Sequence, residues 1–117
     1  MITVVSNNPL VKKHRSDIEY LNNKDYLDVL IRTRDLIHQN HHLVTHPLSS
    51  NFLADQTCYK TVVLKQESSF DLKSLEIIER AIIMVKNSLL TRDQRIFEEA
   101  ILRDLQFVDY EIIKNTL

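Results

Sequence analysis

The apolar positions of this chain change period several times, and each change marks an element. Ile2-Thr-Val-Val5 is an unbroken aliphatic and β-branched run, the pattern of a short buried strand. Asn8-Pro9 follows in the order of a helix start, with Asn at the N-cap and Pro at the first helical position, where its missing N–H costs nothing. A brief helix through Val11 to about His14 is predicted. Asp17-Ile-Glu-Tyr-Leu21 alternates apolar and charged residues, as a half-exposed edge strand does. From about Lys24 to His38, Tyr26, Leu27, Leu30, Ile31 and Ile37 form a helical stripe behind an Asn22-Asn23 start, with Asp28 and Arg32 spaced as an i,i+4 pair. A second core strand is expected over 42–45 and a third over Thr61-Val-Val-Leu-Lys65, separated by a polar, irregular stretch over 47–60.

Beyond Gln66 the period is helical throughout. Ser68 and Asp71 resemble a capping box opening a helix to about Leu90, with Leu75, Ile78, Ile82, Val85 and Leu89 as its seam and Ile77, Ala81 and Met84 widening it. Thr91-Arg-Asp-Gln94 reads as a second capping box before a seam at Phe97, Ile101, Leu105, Val108 and Ile112. The order β-α-β-α-β-β-α-α predicts an α/β fold: a small, mainly parallel sheet of three or four strands, flanking helices and a C-terminal antiparallel helical hairpin. Strands 2–5 and 42–45 are expected as adjacent parallel neighbours. At 117 residues one domain is expected, with residues 1–66 as the strand-and-loop part and 67–117 as the hairpin. Two long helices outrun so small a sheet, which points to a homodimer covering the rest of their seams.

Composition narrows the chemistry chiefly by exclusion. Glycine is absent, where usage of ~7% would supply about eight. Phosphate loops, dinucleotide fingerprints and the Gly-x-Ser-x-Gly elbow all require it, so none is present. The eight asparagines are expected at positive-φ and capping positions instead. Cys58 is the single cysteine, which rules out an internal disulfide and suits a reducing compartment. The aliphatic stretch Ala81–Val85 is far short of the ~18 residues a membrane span needs, and the N-terminal apolar run is too short for a signal segment. A cytoplasmic protein without a membrane partner is therefore expected.

The net charge of −1 conceals an asymmetry. Residues 1–66 hold eight Lys/Arg against six Asp/Glu and all five histidines, while 67–117 hold seven against ten. The first part favours a small anion, but no basic face suggests nucleic acid. The histidines 38, 41, 42 and 46 fall within nine residues, without a carboxylate or cysteine at ligand spacing among them, so no metal or other cofactor is expected. Cys58 has nothing beside it in sequence to lower its pKa and reads as a partly buried spectator. Lys12-Lys-His-Arg15 is a short basic run, most simply a solvated face, though near enough to the first loop to assist an anion.

Two stretches share one local design. Ile2-Thr-Val-Val-Ser-Asn-Asn-Pro-Leu-Val11 and His42-Leu-Val-Thr-His-Pro-Leu-Ser-Ser50 each run from an aliphatic strand into a hydroxyl residue, then Asn or His, then Pro-Leu. Strands that stop in polar, proline-fixed loops are where α/β proteins place ligand-binding groups. If strands 2–5 and 42–45 are parallel neighbours, both loops emerge at one sheet edge and bring Ser6, Asn7 and Asn8 near Thr45, His46 and Ser49. Amides after Asn8 would attract an anion, and His46 would donate or shuttle a proton. The plainer reading is that these are turn and cap residues.

The first of these motifs, together with Tyr26-Leu-Asp-Val-Leu-Ile31, Leu43-Val-Thr-His-Pro-Leu-Ser49 and Thr57-Cys-Tyr-Lys-Thr61, resembles the GrdX family over roughly two-thirds of the chain. That family consists of small proteins encoded with the glycine reductase system of amino-acid-fermenting anaerobic bacteria. The chain departs from the resemblance at Cys58, where a proline is expected. The resemblance implies a cytoplasmic accessory role in reductive amino-acid metabolism and no particular reaction. Three readings follow. One is a non-enzymatic accessory or sensor protein binding a small anionic metabolite between the Pro-Leu loops. Another is a small enzyme with His46 as general acid or base and Asn7 orienting the substrate. The last is an interaction module docking onto a glycine reductase component through its acidic C-terminal helices.

Overall fold

The computed structural model describes residues 2–49, 57–91 and 98–117. Its elements run β1 (Ile2–Ser6), α1 (Pro9–His14), β2 (Glu19–Tyr20), α2 (Tyr26–His38), β3 (His41–Leu43), β4 (Thr61–Gln66), α3 (Leu72–Thr91) and α4 (Glu99–Ile113). This is the expected order.

The sheet, however, is mixed rather than mainly parallel. Its four strands lie in the order β2-β1-β4-β3. β1 pairs with β2 in parallel, while β4 runs antiparallel to both β1 and β3. Strands 2–5 and 42–45 are thus not neighbours, because β4 returns between them. The cause lies in the side chains. Val62, Val63 and Leu64 are all fully buried, and a strand apolar on both faces must sit centrally, under cover on both sides. β2 and β3 are short and half-exposed, and take the edges.

Alternation along β1 and β4 feeds two cores. Val5, Val62 and Leu64 join α2 and α3 in an apolar cluster with Tyr26, Val29, Leu30, Ile37, Ile78, Ile82 and Val85. Val4 and Val63 face the other way, with Val11 of α1 and Ile113 of α4. α3 and α4 therefore bury their apolar positions in different cores, one on each face of the sheet. The expected hairpin is not what covers their seams. The link that would make it, with the Thr91–Gln94 capping box and Phe97, involves residues 92–97, outside the described residues.

Local signals explain most boundaries. Asn8 caps α1, its Oδ1 accepting the Leu10 N–H at 2.9 Å, with Pro9 at the first position. α2 starts two residues later than expected: Asp25 and Asp28 form the capping box, while Asn23 takes a left-handed turn with φ 59°. Asn40, φ 66°, ends α2 in the same region. Both are positions glycine would ordinarily fill. α3 begins at Leu72 because Asp71, not Ser68, caps it: its Oδ2 accepts from Ser74 N–H at 3.3 Å and Ser74 Oγ at 2.6 Å.

Candidate functional site

β1 and β3 point in the same direction, since each is antiparallel to β4. Their exit loops leave at one edge, about 10 Å apart at the usual strand spacing. The first residues of β4 stand between them.

Ser6, Asn7 and Asn8 are buried, and their side chains bond within the protein. Asn7 Nδ2 donates to the carbonyls of Lys24 (2.9 Å) and Cys58 (2.6 Å), and its Oδ1 accepts the Lys60 N–H at 2.8 Å. Asn8 Nδ2 donates to the Gln106 carbonyl and to Asp109 Oδ2, both at 2.9 Å. A carboxylate only accepts, so the 2.6 Å contact of Thr61 Oγ1 with Asp109 Oδ2 has the threonine as donor. Ser6 then donates to Thr61 Oγ1 at 2.7 Å and accepts the Asn8 N–H at 3.0 Å. Thr61 N–H reaches Asp109 Oδ1 at 3.2 Å. The result is one directed chain from the Asn8 backbone to the carboxylate of α4.

The second loop is more open. Thr45 Oγ1 accepts the Val63 N–H at 2.9 Å, continuing the sheet after β3 has ended. Pro47 is buried and its carbonyl accepts the Tyr26 hydroxyl at 3.1 Å. His46 is exposed, and its Nδ1 accepts the Leu48 N–H at 3.0 Å. This places the proton of the neutral ring on Nε2. Among the described residues no carboxylate or amine bonds to that ring, so no acid–base pair is assembled there. Ser49 is exposed, and its Oγ accepts from Lys60 Nζ at 2.8 Å.

Lys60 is the group the sequence reading missed. It is 2% exposed and joins the loops, its backbone holding Asn7 and its amine holding Ser49. Among the described residues no carboxylate lies within ion-pair distance of its amine. Burial lowers its pKa from 10.5 to about 8, against a weaker upward pull from the Asp109 charge. The clue was its position: a lysine flanking a strand whose next four residues are buried cannot easily reach solvent.

The other candidates are engaged in packing. His41 donates from Nδ1 to the Leu36 carbonyl, His42 bonds the Ser69 carbonyl, and His38 stacks on Phe70. Among the described residues no group of three His, Cys, Asp or Glu could hold a metal ion. Lys12 bonds the Ser16 carbonyl, Arg15 pairs with Asp17, and His14 stacks on Tyr110. Cys58 is half-buried, and burial raises its thiol pKa, away from a reactive thiolate. No helix among the described residues is long and apolar enough to cross a membrane.

A family model described as GrdX-like protein matches residues 3–117. No curated protein and no solved structure matches the chain.

Proposed function

We propose, on the premise that this chain belongs to the GrdX-like protein family, that it is a cytoplasmic accessory or sensor protein of the glycine reductase system. In this reading it binds a small anionic metabolite between its two Pro-Leu loops. The observation that carries the reading is Lys60, a buried amine set between the loops and bonded to Ser49. A protonated amine has three donors. A carboxylate or phosphate entering beside Ser49 would use the remaining ones and supply the opposite charge that burial calls for. Thr45, His46 and Ser49 form the open wall of this site. Ser6, Asn7 and Asn8 support it from behind by fixing the start of β4.

Isothermal titration with glycine, betaine, sarcosine, acetyl phosphate and phosphate tests this directly. At least one should release or take up heat with the wild type and lose it in Lys60→Met. Silence across the panel sinks the reading. The enzyme alternative is weaker, because among the described residues the His46 ring bonds a backbone amide and no carboxylate or amine.

A second reading, docking through the C-terminal helices, is supported by exposed apolar side chains: Ile83 and Met84 on α3, and Ile101, Phe107 and Ile112 on α4. A second copy of the chain is the simplest partner. Light scattering across a concentration series should then show growth beyond the 13.8 kDa monomer. A constant monomer would remove the homodimer.

A further inference from the structure

α4 turns its most apolar stripe partly away from the protein. Ile101 and Ile112 are exposed, whereas the buried positions are Leu105, Asp109 and Ile113. Burying an acid in place of an isoleucine costs free energy unless hydrogen bonds repay the lost hydration. The Asp109 carboxylate receives three: from Asn8 Nδ2, Thr61 N–H and Thr61 Oγ1. Among the described residues no cation is paired with it.

Apart from the second bond of Asn8 Nδ2, to the Gln106 carbonyl of α4 itself, these donors are held in place without α4. Asn8 is oriented by its cap bond to Leu10, Thr61 Oγ1 by Ser6, and the Thr61 N–H by the pairing of β4 with β1. Such a preset group of donors is what a carboxylate ligand requires. We propose that Asn8 and Thr61 form a carboxylate-binding site, filled here by Asp109 of α4, and that a small external carboxylate takes the same place and releases α4. The inference rests on the reading of this edge as an anion site, but its donors do not include Lys60. It makes the C-terminal helix the reporter of ligand binding: an occupied site has a detached α4, with Tyr110 and Ile113 uncovered.

Hydrogen exchange on the full-length protein, followed by mass spectrometry with acetate as the probe, decides the matter. Chloride at equal ionic strength is the control. Amides of α4 should exchange faster as acetate rises, with saturation, while those of α2 and β4 stay unchanged. In Asp109→Asn the internal competitor bonds as a neutral amide, so half-saturation should fall about tenfold in acetate concentration. α4 exchange that ignores acetate in both proteins, or that rises equally with chloride, overturns the proposal. The Lys60→Met protein separates the two readings. An acetate response that persists there supports the Asp109 site independently. A silent α4 in a wild type that still gives ligand heat overturns this proposal and leaves the Lys60 reading standing.

Discussion

The two faces of the sheet hold their helices by different means. Against α2 and α3 the contact is apolar and extensive, with Leu30, Ile37, Ile78 and Ile82 among its buried members. Against α1 and α4 the fully buried apolar cluster among the described residues is smaller, Val4, Val11, Val63 and Ile113, with Ile2, Ile18, Tyr110 and Leu117 packed around it. It is joined by the polar chain ending at Asp109. Burial of apolar area is strong but undirected. Hydrogen bonds contribute about 1 kcal/mol each, net, but demand one geometry. The first face therefore anchors the fold. The second sets the rotation of one helix through directed bonds, and it borders the edge where both exit loops leave.

The largest expected effect tests the anchoring face. Ile78→Ala should destabilise the whole protein by about 3–4 kcal/mol through lost burial and an unfilled cavity, read by urea denaturation. Ile113→Ala should cost less and act chiefly on α4. Equal global losses from both would show that the two faces contribute alike to the fold.

Lys60, set between the two exit loops, yields the next effect. Its folded pKa of about 8 lies below the usual 10.5, so between those values the unfolded chain binds more protons. Stability from this residue should therefore rise with pH across that window, by roughly 3 kcal/mol at most. The measurement is the stability of wild type minus that of Lys60→Met, because Tyr26 and Cys58 act oppositely. Burial raises both of their pKa values, so their contribution falls as the medium becomes more alkaline. A flat difference would show that the amine is solvated.

Asp109→Ala comes third. It leaves the Thr61 and Asn8 donors buried without their acceptor, at a cost of about 2 kcal/mol. Exchange should accelerate in α4 and remain slow in α2, which sharpens the contrast between directional and apolar attachment. Uniform acceleration would mean that the two faces unfold as one unit.

The smallest effect lies at the edge strand. The Arg32 guanidinium donates two hydrogen bonds to Glu19, at 2.6 and 2.7 Å, and holds its carboxyl below the usual range. Both side chains are about one-third exposed, so Glu19→Gln should cost under about 1 kcal/mol. That contribution should disappear as pH falls through the lowered pKa of Glu19. A larger loss in thermal denaturation would make β2 part of the anchor.

Much of this molecule is written in local patterns. The period of two in Asp17–Leu21, the helical stripe from Tyr26 to Ile37 and the Asn8-Pro9 start each depend on neighbours a few residues apart, which is why the element order was readable. The asparagines at 23 and 40 replace glycine for an equally local reason, the tolerance of their backbone for positive φ. The shared exit edge was likewise foreseeable from the matching Pro-Leu loops.

Strand order and helix rotation are of another kind, because they compare distant segments. β4 displaced β3 from the side of β1 because Val62, Val63 and Leu64 need cover on both faces and His41–Leu43 does not. The seam read at Ile101, Val108 and Ile112 was displaced by Asp109, whose three donors come from residues 48 or more positions away. Hydrophobic periodicity measures how much apolar surface a helix carries. It carries no term for a carboxylate that finds its donors only after the sheet has formed. The elements and their order are thus properties of the chain, whereas the neighbours of β4, the turn of α4 and the bond of Lys60 to Ser49 arise when separate segments compete for one interior.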